Sequence, residues 1–131
     1  NDWIFAPQVT SPIREAKDIK KAIDMVKTGK WDSLFSAVNA DEFLLWQEFN
    51  GSFKSTNHDY KARLRRQDIE EKTFLENGSF YLFKPIGIIK NNNRLHGKIG
   101  ICEMDRIKMF QIDEPKDLIL VESILKYLEE I

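Results

Sequence analysis

The sequence contains little that would place it in a specialised class of proteins. Its single cysteine, Cys102, excludes an internal disulfide and is typical of a protein from the reducing cytoplasm. No run of about 18 apolar residues is present, so the sequence offers no candidate for a membrane-spanning helix. The net charge of −1 argues against general binding to nucleic acids or membrane surfaces.

Two common kinds of ligand site are also missing from the sequence. None of the six glycines is grouped with basic residues in the pattern that cradles a phosphate. The two histidines, His58 and His96, have no Cys, His or carboxylate at metal-ligand spacing, and we expect both on the surface. The sequence therefore contains neither a phosphate loop nor a histidine-based metal site.

The composition is that of a globular protein. Its 131 residues, 42% hydrophobic and 31% charged, are enough for one domain with one core. The charge is unevenly distributed, because residues 54–66 contain five basic residues and one acid, whereas residues 111–131 contain six acids and two basic residues. Each run is either solvated surface or a binding region, and the composition leaves both open.

Hydrophobic periodicity predicts two helices, at about 15–28 and 115–130, and Gly29 is expected to end the first. Trp3–Ala6 and Ser33–Val38 are predicted to be buried strands on either side of this helix. A strand, a helix and a strand in this order are typical of a right-handed βαβ unit.

The second half of the sequence predicts shorter elements. Asn77-Gly78 favours a tight turn, because both residue types tolerate a positive φ, and Ser79–Phe83 follows as a strand. A short helical stretch at about Pro85–Ile89 comes next. Strands at Lys98–Met104 and Met109–Ile112 complete the pattern.

Residues 39–66 have a different character. Asn50-Gly51 predicts a hairpin with Trp46–Phe49 and Ser52–Ser55 as its two arms. Either this segment folds back on its own domain or a second subunit covers it. We favour a dimer, since the segment contains five large apolar residues that would form an unusually large patch on a monomer. They are Phe43, Leu44, Leu45, Trp46 and Phe49.

Three segments resemble motifs of the acylneuraminate cytidylyltransferases, the CMP-sialic acid synthetase family. The central segment is RRQD at 65–68, followed by ENGSFYLF at 76–83. APQVTSPIR at 6–14 resembles the LQPTSPLR loop of the family, and FQIDEPKDL at 110–118 resembles its C-terminal aspartate motif. The three segments occur in the family's order and together span nearly the whole chain.

The resemblance implies an α/β, Rossmann-like nucleotidyltransferase fold with a mostly parallel sheet flanked by helices. Residues 1–131 would be the C-terminal part of one such domain, incomplete because the family's phosphate loop precedes this region, with a protruding dimerisation segment at about 42–66. The chain by itself is then expected to be inactive. The resemblance also implies a homodimer, and the single cysteine fits a cytoplasmic location.

The implied activity is a transfer of the cytidylyl group of CTP to a sialic acid or related nonulosonic acid, giving a CMP-sugar and pyrophosphate with Mg²⁺ as cofactor. Two alternatives stay open. In the first, the chain is a catalytically incomplete fragment for sugar binding or dimerisation. In the second, it is part of a nucleotidyltransferase for another acidic sugar.

The resemblance also assigns candidate residues for substrate binding. Two donors, Arg66 and Gln67, would bind the sugar acid or its polar substituents, since an Arg offers a bidentate fork to a carboxylate. The other candidates lie at predicted strand and loop ends, where the hydroxyl groups of the polar loop can equally cap a helix. They are Gln8, Thr10, Ser11, Asn77 and Tyr81.

Asp113 is the candidate catalytic residue and Mg²⁺ ligand, because it matches the second aspartate of the metal motif. A carboxylate between a strand end and a helix start suits Mg²⁺ and phosphate, but it can also be a helix-capping acid. Gln111 stands where family members often have another aspartate. The strength of metal binding, the sugar and the nucleotide are therefore left open by the sequence.

Overall fold

The computed structural model describes residues 2–130, so the two end residues of the predicted 1–131 domain lie outside the described residues. The chain forms two compact units. The first unit combines the chain up to Val38 with the chain from Glu76 onward, and the second unit is Asn39–Leu75.

The described residues form α-helices and strands with two short 3-10 helices, at Arg66–Asp68 and Arg106–Met109. The helices are α1 (Ala16–Lys27), α2 (Pro85–Asn91) and α3 (Asp117–Glu130). The strands are β1 (Ile4–Pro7), β2 (Ser33–Asn39), β3 (Trp46–Phe49), β4 (Ser52–Ser55), β5 (Phe74–Phe83) and β6 (Ile99–Met104).

Four of the strands form one mixed sheet in the order β1-β5-β2-β6. Strand β1 pairs with β5 in antiparallel orientation, and β2 pairs with β6 in parallel orientation. The main core lies against this sheet and contains residues from β2, β5, β6 and α1. Its buried members are Ala22, Leu34, Val38, Phe80, Leu82, Cys102 and Met104. The architecture is mixed α/β.

The helix predictions are confirmed. Helix α1 begins after Glu15, whose side chain forms a capping box with Asp18, and Gly29 follows its last turn with a φ of +73°. Helix α2 covers the short helical stretch predicted at Pro85–Ile89. Helix α3 begins at Asp117, two residues after the predicted start.

The prediction that β1 is a buried strand is wrong. Strand β1 lies at one edge of the four-stranded sheet, and Ile4 and Phe5 are 41% and 38% exposed. The sheet is also mixed where a mostly parallel sheet was expected, since β5 is antiparallel to β1 and separates it from β2. Apolar residues in a short run do not distinguish an edge strand from a central one.

Three further local predictions need correction. Asn77-Gly78 forms no tight turn and lies inside β5, a continuous ten-residue strand. Met109–Ile112 is not a strand, because Arg106–Met109 is a 3-10 helix capped by Asp105, whose carboxylate accepts from the backbone N–H of Ile107 (3.1 Å). His96 is buried and not on the surface.

The second unit contains the predicted hairpin, formed by β3 and β4 in antiparallel register. Asn50 and Gly51 have φ values of 51° and 81°, as a tight hairpin turn requires. At the base of this unit the carboxylate of Asp41 accepts from the backbone N–H of Thr73 (2.7 Å). This bond is the main cause of the lowered pKa of Asp41.

Within residues 2–130, no helix combines the length and the apolar character needed to cross a membrane.

Candidate functional site

The polar loop after β1 is bonded to two other parts of the first unit. The backbone N–H of Gln8 donates to the carbonyl of Ser79 (3.0 Å), and the buried hydroxyl of Ser11 donates to the carbonyl of Asn77 (3.0 Å). Thr10 is exposed, and its carbonyl accepts from the backbone N–H of Ile112 (2.7 Å). The loop therefore joins β5 to the segment that carries Asp113.

Asn77 is the centre of a buried polar network. Its side chain is fully buried, and Oδ1 accepts from the hydroxyl of Ser36 (2.7 Å) and the backbone N–H of Ser79 (3.2 Å). Its Nδ2 donates to the carbonyl of Lys108 (3.0 Å) and contacts Met104 Sδ (3.3 Å). All the polar atoms of this side chain are thus engaged by protein atoms, and they join β2, β5 and the 3-10 helix at Arg106–Met109.

Gly78 is the point at which the side chains of three segments converge. A Cβ atom at Gly78 would lie 2.7 Å from Oε1 of Gln8, 3.1 Å from Nε2 of Gln111 and 3.2 Å from Oγ of Ser11. The φ of Gly78 is +67°, which also favours glycine. Three polar side chains therefore meet over a backbone position that has no side chain of its own.

Arg14 is a residue of this network that the sequence interpretation missed. Its Nη1 donates to the carbonyls of Ser11 (2.8 Å) and Ser79 (2.9 Å), so one guanidinium nitrogen holds the loop after β1 on β5. Arg14 is the last residue of the segment 6–14 that resembles the family's loop, and this position could have indicated its role.

A buried ionic cluster lies at the start of α1. Lys108 is 2% exposed, and its Nζ lies 2.7 Å from both Glu15 Oε1 and Asp18 Oδ2. Burial by itself would lower the pKa of Lys108, but hydrogen bonds to the two carboxylates outweigh it and raise the pKa. The bond from Lys108 lowers the pKa of Glu15. No sequence pattern indicated this cluster, since Glu15 and Asp18 are about ninety residues from Lys108.

Tyr81 lies on β5 opposite Ala6 of β1 and is 8% exposed. Its hydroxyl donates to Glu76 Oε2 (3.1 Å), and the guanidinium carbon of Arg94 lies 3.8 Å from the centroid of its ring. Burial raises the pKa of the Tyr81 phenol, and the bond to Glu76 adds to this increase. The phenol is therefore a neutral donor at physiological pH.

Asp113 lies in the exposed bend before α3, and the cap of this bend is formed by another residue. The carboxylate of Asp117 accepts from the backbone N–H groups of Asp113 (3.0 Å) and Glu114 (2.9 Å), which lower its pKa. The Asp113 carboxylate itself has no hydrogen bond or ion pair with a described residue. No group of three or more potential metal ligands occurs within residues 2–130.

Arg66 and Gln67 belong to the second unit, so they are described only within it. Both are exposed and lie in the 3-10 helix at Arg66–Asp68. Arg66 forms an ion pair with Glu42 and lines a cavity of about 870 Å³, together with Arg63. Six acids also line this cavity: Asp41, Glu42, Asp59, Asp68, Glu70 and Glu71.

The fold thus brings together most of the residues predicted for the site. Hydrogen bonds or close packing connect Gln8, Ser11 and Asn77, and the backbone of Thr10 is bonded to the residue before Asp113. Tyr81 lies two positions further along β5 than Ser79, the pairing partner of Gln8.

The chain is similar to a curated protein named post-translational flagellin modification protein B from Campylobacter coli. The two are 27% identical over 129 residues, which cover 95% of this chain and 53% of that protein. The chain therefore spans about half the length of the curated relative that it matches. No protein-family model matches the chain.

Proposed function

We propose that this chain is part of a nucleotidyltransferase that activates an acidic nine-carbon sugar with CTP, releasing pyrophosphate. The proposal rests on one observation. The three segments that resemble the cytidylyltransferase motifs are far apart in sequence, yet parts of all three belong to one hydrogen-bonded network of the first unit. The relative is named for flagellin modification, and a sugar-activating enzyme fits such a process.

The network gives its members different roles in this proposal. Gln8 and Gln111 extend polar side chains toward the backbone of Gly78, where a hydroxyl-rich sugar finds amide donors and acceptors. Asn77 supports this surface without contacting the sugar, because its amide is already hydrogen-bonded to Ser36 and Lys108. Thr10 and Ser11 complete the loop, and Tyr81 lines the same region with its neutral hydroxyl bonded to Glu76.

The Mg²⁺ ion of the proposed reaction has one candidate ligand in this chain. Mg²⁺ is usually bound by one or two carboxylates together with substrate phosphates. The carboxylate of Asp113 suits this role, since it is exposed and bonded to no residue within 2–130. When bound, the ion would neutralise the charge that develops on the phosphate oxygens. Gln111 adds no second carboxylate, because its side chain ends in an amide, and this amide packs at Gly78.

We also propose that the protein is a homodimer in which the segment at about 42–66 contacts a second copy. The support is the exposure of large apolar side chains, among them Phe49 (78% exposed) and Phe53 (68% exposed) on the hairpin. Arg66 and Gln67 would then bind polar substituents of the sugar, and Arg66 is held in the second unit by Glu42.

The function is tested by measuring pyrophosphate release from CTP in the presence of N-acetylneuraminic acid, with the gene product that contains this chain. Asp113→Asn should lower kcat by about a hundredfold or more, because it removes the charge from the proposed metal ligand. The melting temperature should not change, since the Asp113 carboxylate has no partner among the described residues.

Glu114→Gln is the matched control, because Glu114 is the exposed acid next to Asp113 and should be dispensable for turnover. If Asp113→Asn turns over as fast as the wild type at limiting Mg²⁺, Asp113 is not part of the site. Binding of the sugar acid without any pyrophosphate release would favour the alternative, a catalytically incomplete sugar-binding fragment.

A further inference from the structure

Arg94 is a charged side chain that lies on an aromatic ring, while its guanidinium has no carboxylate partner among the described residues. Its guanidinium makes no hydrogen bond or ion pair with a described residue, and the guanidinium carbon lies 3.8 Å from the centroid of the Tyr81 ring. Arg94 is only partly exposed. A long cation that lies on an aromatic ring, with none of its five donors bonded to a described residue, can bind a ligand.

The backbone on both sides of Arg94 is fixed by hydrogen bonds. The N–H of Asn93 donates to the carbonyl of Gly87 (3.3 Å) at the end of α2. On the other side, Ser33 Oγ donates to the carbonyl of His96 (2.8 Å) and accepts from its N–H (3.0 Å). The backbone on both sides of Arg94 is therefore held by α2 and β2, so little backbone entropy would be lost on binding a ligand.

The ring beneath Arg94 is equally well fixed. Tyr81 is held by Glu76 at its hydroxyl and by β1 along its backbone. Its phenol stays protonated because burial raises its pKa, so no phenolate neutralises Arg94. Face contact with the ring leaves the edge of the guanidinium available for two parallel hydrogen bonds, the geometry that a carboxylate accepts.

The location of this pair connects it to the proposed sugar site. Tyr81 is paired with Ala6, and Gln8 continues the same ladder by donating to the carbonyl of Ser79. Gln8 and Tyr81 are therefore diagonal neighbours across two strands, at a typical distance of roughly 7–8 Å. One sugar molecule can span that distance.

We infer that Arg94 binds the carboxylate of the acidic sugar and so selects acidic over neutral substrates. This inference rests on the proposed function, and it assigns to the first unit the recognition of the acid. Glu76 and Tyr81 act as positioning residues, because they hold the surface on which Arg94 lies.

The test is isothermal titration of N-acetylneuraminic acid and of its neutral 1-carboxamide into the wild-type protein and Arg94→Met. Methionine can still cover the Tyr81 ring but has neither charge nor donors. We expect the acid to bind at least tenfold more weakly to Arg94→Met, while affinity for the carboxamide and the melting temperature stay unchanged. Arg94→Lys keeps the charge without the fork of the guanidinium. Its affinity for the acid should lie between those of the wild type and Arg94→Met.

The outcomes separate this inference from the proposed function. If the wild-type protein binds the acid but Arg94→Met binds it equally well, Arg94 only covers the ring and the inference is overturned. If Arg94→Met loses as much affinity for the carboxamide as for the acid, the carboxylate assignment is wrong. If the wild-type protein binds no sugar acid, the proposed function fails and this inference fails with it.

Discussion

The two units of the molecule place their polar and apolar groups in opposite ways. In the first unit, Asn77, Ser36 and Lys108 are almost completely buried and bonded to one another or to carboxylates. In the second unit, Phe49 and Phe53 are mostly exposed. Buried polar groups are costly unless all are bonded, so they specify one arrangement, whereas exposed aromatic groups indicate a surface that a partner can cover.

The largest expected effect comes from breaking the ionic cluster of the first unit. Lys108→Met leaves the carboxylates of Glu15 and Asp18 without their buried cation, and the free energy of unfolding should fall by about 3 kcal/mol at neutral pH. Lys116→Met removes a lysine whose ion pair with Glu114 is exposed, and it should cost less than about 0.5 kcal/mol. Urea denaturation measures both.

The loss of stability in Lys108→Met should depend on pH. The pKa of Glu15 is lowered from its ordinary value of 4.5 in the folded protein, so its contribution is present above that value and lost as pH falls through the folded pKa. The difference between wild type and Lys108→Met should therefore shrink below about pH 4.5. A constant difference from pH 7 to pH 3 would mean that packing, and not the ion pair, is lost.

A somewhat smaller effect is expected at the centre of the polar network. Asn77→Ala removes the acceptor of Ser36 Oγ and the donor to the Lys108 carbonyl, and buried groups without partners should lower the unfolding free energy by about 2–3 kcal/mol. Asn91→Ala, at an exposed residue of α2, is the matched control and should change stability little. Equal losses in the two variants would contradict the importance of the network.

The smallest effect on stability is expected from substituting an exposed aromatic residue of the second unit. Phe53→Ser should change the free energy of unfolding by less than about 0.5 kcal/mol, because the ring is already 68% exposed.

If the hairpin is a dimer contact, Phe53→Ser should sediment as a monomer at concentrations where the wild type is a dimer. Lys54→Ser, the adjacent substitution on β4, should leave the dimer intact; a wild-type monomer at tens of micromolar would remove the dimer proposal.

The success of the sequence predictions depended on how local each element is. Helix α1 and the β3–β4 hairpin were predicted because periodicity, Gly29 and Asn50-Gly51 act over a few residues. The site was predicted only in part. Arg94 and Lys108 were missed, since their partners are thirteen or about ninety residues away in the chain and no local pattern marks them.

Two Asn-Gly pairs show what the sequence by itself determined and what only the tertiary structure decided. Asn50-Gly51 forms the turn that its residue types favour, and the strands on either side of it pair with each other. Asn77-Gly78 has the same residue types, yet it lies inside β5. There Ser36 and Lys108 bind the Asn77 amide, and Gly78 uses its positive φ to admit the side chains of Gln8 and Gln111. The local preference is worth little beside several buried hydrogen bonds from distant segments, and those bonds exist only once the chain has folded.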